Sequence, residues 1–333
     1  MNKTQYVIYL YRELSSRHRG RISVASSIAL VFLFLTWGLN FTVCFCVIKN
    51  RKLHKLTNFF LVILAFADLT WEVTVMPLWI DVLINGKMRF SQTGCMFTGF
   101  MTTLCKIGKL MTIYMISINR LCNVYWPSIY PSLYNKCASI AMVTITWCVS
   151  LIIAIVVTTV SDATFEFHPG RGMCLFTYKD LTIAGYLTIS KFLFSAVIPL
   201  CINTVCHFKA YNELKEHKRE TRGKVRIQIF AVPEMIKEEV EQTTSKDEIQ
   251  ATRTLLGIVY VYCLCSILTT SIEMADAYRP YFLDRGTHLA LTFFGFVNSI
   301  LNPLMLTRTN KEFRDVVVVM VGCKWNSRAI HVQ

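Results

Sequence analysis

Charge is scarce in this chain: Asp, Glu, Lys and Arg make up 17% of its 333 residues, while 53% are hydrophobic. A water-soluble domain of this length needs far more polar surface, so a soluble enzyme or cytosolic module is excluded first. Phosphate-binding loops, nucleophile–base pairs and metal-ligand spacings are missing too, so neither enzyme chemistry nor a cofactor is expected. The formal net charge of +14 contains no basic cluster interleaved with aromatics outside the apolar stretches. That excludes nucleic acid as a partner and leaves membrane topology as the better account of the charge. A cleavable signal peptide is not expected either: "YVIYLY" is too short for an apolar core and is followed by Arg12, Glu13, Arg17, Arg19 and Arg21. Cysteine is not lacking, with 13 residues, but the spacing of Cys263 and Cys265 fits no zinc site. Cys44, Cys46, Cys105, Cys122, Cys148, Cys201 and Cys206 lie in or beside apolar runs, where a thiol acts as a small hydrophobe.

What is present in abundance is long apolar runs. Segments able to cross about 30 Å of hydrocarbon fall at 23–48, 57–84, 92–124, 136–160, 181–208, 250–275 and 286–307. The last is diluted by Thr287, His288, Thr292, Asn298 and Asn302. The expected fold is therefore an all-α membrane protein, a seven-transmembrane helix bundle, with no internal repeat of transporter type. With seven spans, twenty of the 35 Lys/Arg fall on one side and eleven on the other, four lying within spans. The richer side is expected to be cytoplasmic, placing the N-terminus outside, although five basic residues before the first span pull the other way. The expected divisions are 1–22 as an extracellular N-terminus, 23–308 as the seven-transmembrane domain and 309–333 as a cytoplasmic tail. Within the domain, 209–249 reads as a third intracellular loop with helical extensions. Asn2-Lys3-Thr4 is a glycosylation sequon compatible with that sidedness.

The third span serves as a ruler. Cys95 and Arg120 are 25 residues apart, about 37 Å of helix, so they mark opposite membrane faces, and at 100° per residue they share one stripe. Thr102, Lys106, Lys109 and Ile113 fall on the same stripe. A face holding every cation of a membrane helix must look into the bundle, because lipid would not tolerate it.

These features, taken in order, resemble the rhodopsin-like (class A) G-protein-coupled receptors over nearly the whole chain. The motifs are Asn40 in "GLNFTV", Asp68 in "LAFADL", Cys95 with Arg120, Pro127, Trp147, Cys174, Pro199, "NSILNPL" with Asn302-Pro303, and "NKEFRD". Within the family, "GCMFTGFMTTLCKIGKLMTIYMISINRLC" looks most like the third helix of the melatonin-receptor branch, which also has Asn before the Arg. The departures are Asn119 for the usual acid, Leu121 for the aromatic after Arg120, Ser266 and Leu268 in "YCLCSIL" from Tyr262, Leu306 for the closing Tyr, and Met88 for the outer Trp. A sixth helix without proline should be straighter.

The resemblance implies a plasma-membrane, multi-pass receptor that passes an extracellular ligand signal to heterotrimeric G proteins. It implies a disulfide between Cys95 and Cys174, and a short amphipathic helix opening at "NKEFRD" after the seventh span and lying on membrane lipid. A signalling-silent relative and, less favoured, a small-molecule transporter stand as alternatives. On the inner side it implies coupling residues Asn119, Arg120, Pro127, Glu248, Tyr262 and Pro303, with Glu248 the expected partner of Arg120 or else a solvated residue of a mixed-charge loop. Cys323 is a palmitoylation candidate or a plain free cysteine. In the bundle, Asn40, Asp68, Lys109 and Asn302 form the expected polar network, Lys109 standing where the family holds sodium. Stacked rungs are expected, Lys109 with Asp68 and Lys106 with Glu72, the second being either a structural pair or a ligand contact. The expected ligand pocket is Thr102, Lys106, Lys191, Glu72, Glu273 and Phe296, with Lys191 either reaching the pocket or snorkelling to the membrane interface. Thr102 replaces the Asp of amine receptors and Phe296 the retinal-binding Lys of opsins, so neither a typical bioamine nor retinal is implied. The lysines suit an anionic or neutral ligand, whereas Glu273 and Asp276 suit a cationic one.

Overall fold

The computed structural model describes residues 2–54, 56–160, 164–177, 181–227, 235–278 and 281–321; several side chains within these ranges, Arg120 and Glu248 among them, lie outside the described set. Among the described residues the chain is a helical bundle with one β-hairpin. The helices are α1 (Lys3–Ser15), α2 (Arg19–Lys49), α3 (Leu56–Asn85), α4 (Gln92–Tyr125), α5 (Tyr130–Leu133), α6 (Lys136–Val160), α7 (Leu181–Phe192), α8 (Ile198–Ile227), α9 (Met235–Tyr278), α10 (Arg285–Thr309) and α11 (Lys311–Val321). Six candidate spans are long and apolar enough to cross a membrane, in α2, α3, α6, α7 with α8, α9 and α10. The remaining long helix, α4, carries Lys106, Lys109 and Arg120.

Local chemistry fixes the helix starts. Ser91 caps α4 by accepting from the Gly94 amide at 3.2 Å, and Asp284 caps α10 by accepting from the Gly286 amide at 2.8 Å. Between α7 and α8 the backbone widens into a π turn at Leu193–Val197, in which the Ile198 amide reaches the Leu193 carbonyl. Pro199 follows and has no amide to offer the ordinary α ladder, the circumstance in which such a turn is tolerated.

α4 is the central helix and packs on α3, α6, α8 and α9, while α10 closes the ring between α9 and α2. Strands β1 (Thr164–His168) and β2 (Met173–Thr177) pair antiparallel with Phe167 opposite Cys174. The Cys95–Cys174 disulfide ties this hairpin to the outer end of α4. Two apolar clusters fill the bundle. The inner one holds Val43, Leu61, Leu64, Ile113, Ile116, Leu255, Ile258, Leu306 and Phe313. The outer one holds Trp71, Val75, Trp79, Leu83, Cys105 and Phe296.

Candidate functional site

The polar core lies between the two clusters. Lys109 on α4 donates to and pairs with Asp68 on α3, both buried, and Ser299 on α10 donates to the same carboxylate oxygen. Antiparallel neighbours bring these positions level, so the expected rung forms. Asn40 joins through the backbone, donating to the Ser299 carbonyl at 3.1 Å and the Thr36 carbonyl at 2.9 Å. Asn302 and Asn40 line a cavity of about 10 Å³ with Val43, Leu61, Leu64, Ile258, Pro303 and Leu306, about the room one water needs.

The second expected rung does not form among the described residues. Glu72 is buried beside Asp68, Lys109 and Thr36. Lys106 instead stands among Lys191, Glu273 and Arg171. The reason is tertiary: α7, α9 and the hairpin bring a carboxylate and two further cations to the opposite flank of α4.

That flank is the outer charged cluster. Glu273 on α9 is held by Arg171 of the hairpin turn at 2.9 Å and by Lys191 of α7. Asp276, one turn further out, faces the same Arg171. Two other expected pocket residues are held by neutral partners. Thr102 accepts from the Trp71 indole at 3.0 Å and donates to the Thr98 carbonyl at 2.8 Å. Phe296 sits 4.8 Å from the Trp79 ring and 5.0 Å from the Trp71 ring, centroid to centroid. The six expected residues thus divide into a buried aromatic and acidic half (Thr102, Glu72, Phe296) and a charged half (Lys106, Lys191, Glu273).

The hairpin and α1 cover the outer end. Gly99 lets the Phe165 ring lie directly on α4, since a Cβ there would come 2.3 Å from it. Gln92 donates to the Phe165 carbonyl at 3.0 Å, and the Trp79 indole donates to the Arg171 carbonyl at 2.8 Å. α1 buries Tyr6, Leu10 and Leu14; the Tyr6 hydroxyl donates to the Leu283 carbonyl at 2.8 Å and pairs with His288 at 2.6 Å. His168 stacks edge-on to His288 at 4.6 Å and accepts from the Arg171 amide at 3.2 Å. Burial first, then the neighbouring His288 and the Arg171 charge, push the His168 imidazole down to about 3.

On the inner side, Asn119 is buried and donates to the Tyr130 hydroxyl at 3.1 Å. Tyr262 packs against the inner cluster, Pro303 is buried within α10, and Pro127 is exposed. The Arg120 and Glu248 side chains and Cys323 lie outside the described residues. Asn2 is exposed and caps α1, accepting from the Gln5 amide at 2.8 Å.

Three further participants emerge with the fold. Ser299 and Arg171 lie in stretches whose partners come from elsewhere in the chain. α1 did carry a signal: Tyr6, Leu10 and Leu14 recur every four residues behind an Asn2–Gln5 capping box.

Comparison with known proteins matches residues 39–306 to the model of the 7 transmembrane receptor (rhodopsin family). Melatonin receptor type 1C of Xenopus laevis is 22% identical over 298 residues, 88% of this chain and 66% of that receptor, so the chain spans just under two thirds of its length. Melatonin receptor type 1B-B of Danio rerio is 22% identical over 94% of this chain and 86% of its own. The histamine H2 receptor of Cavia porcellus is 23% identical over 92% and 81%. The crystal structure of squid rhodopsin superposes with a TM-score of 0.75 at 18% identity, covering 92% of this chain and 89% of that one.

Proposed function

The chain belongs to the rhodopsin family of seven-transmembrane receptors, on its melatonin-receptor-like branch, and is a G-protein-coupled receptor rather than an enzyme; from that premise we propose how its two ends are used. The ligand is received at the outer charged cluster between α4, α7 and α9, beneath the disulfide-tied hairpin. The N-terminus faces outside, α11 lies on the inner leaflet with Phe313 turned into the bundle, and the inner cluster is the gate that a heterotrimeric G protein finds open. Occupancy outside shifts the bundle between two packings, because packed helices exchange discrete arrangements rather than bend continuously.

The single observation that carries this reading is the asymmetry of the bundle. Charged, partly exposed side chains gather at its outer end, while Leu255, Ile258, Leu306 and Phe313 seal its inner end. In the polar core, Lys109 takes the place of a sodium ion beside Asp68, which leaves the resting state independent of that cation. Asn2 as a glycan acceptor, Cys323 as a lipid acceptor and Glu248 as the restraint on Arg120 complete the proposal. The test is nucleotide exchange on added G proteins by the purified chain in nanodiscs, screened against a ligand panel. Exchange raised by a compound and lost in Arg120→Ala supports the reading, and no exchange with any G-protein class overturns it.

A further inference from the structure

The outer charged cluster has an imbalance that points to the ligand's charge. Among the described residues, Arg171, Lys191 and Lys106 bring three positive charges and Glu273 and Asp276 two negative ones, leaving one cation over. Glu273 is engaged from both sides, by Arg171 at 2.9 Å and by Lys191, and its side chain is only 18% exposed. It is therefore spent on partners within the chain and poorly placed to receive a cationic ligand. Lys106 is the reverse case. It is exposed, stands in electrostatic range of Lys191, Glu273 and Arg171, and has no ion-pair partner among the described residues. Lys109, one turn inward, is already taken by Asp68. The Lys191 side chain is 45% exposed, so it is the more accessible holder of Glu273.

We propose that the ligand of this receptor is a small organic monoanion, a carboxylate in the first instance, received by Lys106 and sharing Lys191 with Glu273. This rests on the outer cluster being the ligand site and adds its chemical class. One negative charge balances the surplus, and a planar carboxylate can span two ammonium groups. It would also weaken the hold of Lys191 on Glu273, which ties α7 to α9. The ligand's charge thereby acts on the contact between the outer half of the fifth span and α9, whose Leu255 and Ile258 belong to the gate.

The experiment uses the full chain in nanodiscs. A set of aryl and alkyl monocarboxylates is compared with the corresponding primary amides, reading each variant's melting temperature against its own ligand-free value. Stabilisation by acids and not by their amides is expected, with Lys106→Gln weakening it tenfold or more and Lys106→Arg restoring it. Glu273→Gln, which removes the internal competitor, should tighten acid binding. Acids and amides performing alike, or neither stabilising, overturns the proposal, as does weaker acid binding in Glu273→Gln. Organic phosphates stabilising where carboxylates do not would equally overturn it. Nucleotide exchange is read in parallel. Carboxylate binding through Lys106 without exchange would sink the receptor reading but keep the site, whereas exchange driven only by amides or cations would do the opposite.

Discussion

Cutting one side of the Lys109–Asp68 pair should be far more damaging than cutting both. Asp68 is fully buried and Lys109 nearly so, and the described companion of the carboxylate is the Ser299 hydroxyl. Lys109→Met leaves a carboxylate in the bundle with a single neutral donor, and Asp68→Asn leaves an ammonium facing an amide. Stranding one member of a buried pair costs about 3–5 kcal/mol. At about 2 °C per kcal/mol, the low end of the range for long chains, each single variant should melt about 6–10 °C below the parent. The double variant Asp68→Asn/Lys109→Met strands neither member of the pair and should return to within about 1 kcal/mol of it, giving a coupling energy of about 5 kcal/mol or more. Melting in detergent can be followed with a thiol-reactive dye, because the Cys105 and Cys263 thiols are buried and outside any disulfide until the bundle opens. The same assay tests the cation. The parent should melt alike in sodium and choline chloride, whereas Lys109→Met should regain part of its loss in sodium, which can stand where the ammonium stood. Additive single-variant losses in the double, or a sodium shift in the parent that vanishes in Asp68→Asn, would refute the reasoning.

Three further outcomes are expected. Replacing Cys95 or Cys174 by Ser should cost about 2–5 kcal/mol and free the hairpin; peptide mapping without reduction should recover the two as one cross-linked species, and two alkylatable thiols would contradict it. Glu248→Ala should raise basal nucleotide exchange by removing the restraint on Arg120, and an unchanged basal rate would assign Glu248 to the solvated loop. For His168, the folded imidazole is held at about 3 against an unfolded value of about 6.5, so the unfolded state binds the extra proton between those limits. Stability is thus complete above about pH 6.5 and declines as the pH falls toward 3. Protection against hydrogen exchange in β1, β2 and α1, taken relative to the intrinsic rate at each pH, should fall from pH 7 to pH 5, and His168→Phe should flatten that dependence.

The features legible in sequence were those whose partners a single helix period could align. Counting 100° steps along α4 put Lys109 on the bundle face, and the antiparallel neighbour put Asp68 level with it. The same counting mispaired Lys106, because its surroundings are set by Arg171 in a hairpin turn and Glu273 far along α9, and no helical period relates those segments to α4. The Cys95–Cys174 bridge came from resemblance rather than from spacing. α1 was hidden by its setting, since a short helix beside five basic residues reads as a solvated terminus unless the burial of Tyr6, Leu10 and Leu14 is known. Ser299 sat inside a recognised motif, yet its contact with Asp68 needed the rotation of α10 to be fixed.

The π turn at Leu193–Val197 has a consequence for how the fifth span is geared. Lys191 and Asn203 are twelve residues apart, which on an unbroken α-helix would set them about 120° out of phase. A wide turn absorbs one residue without adding rotation, reducing the offset to about 20°. Lys191, gripping Glu273, and Asn203, bonded to Ser117 on α4, therefore look the same way. Deleting one residue between 193 and 197 would keep the two contacts in phase while removing the slack between them. Inserting one would turn the outer lysine away from α9 while Asn203 stayed engaged.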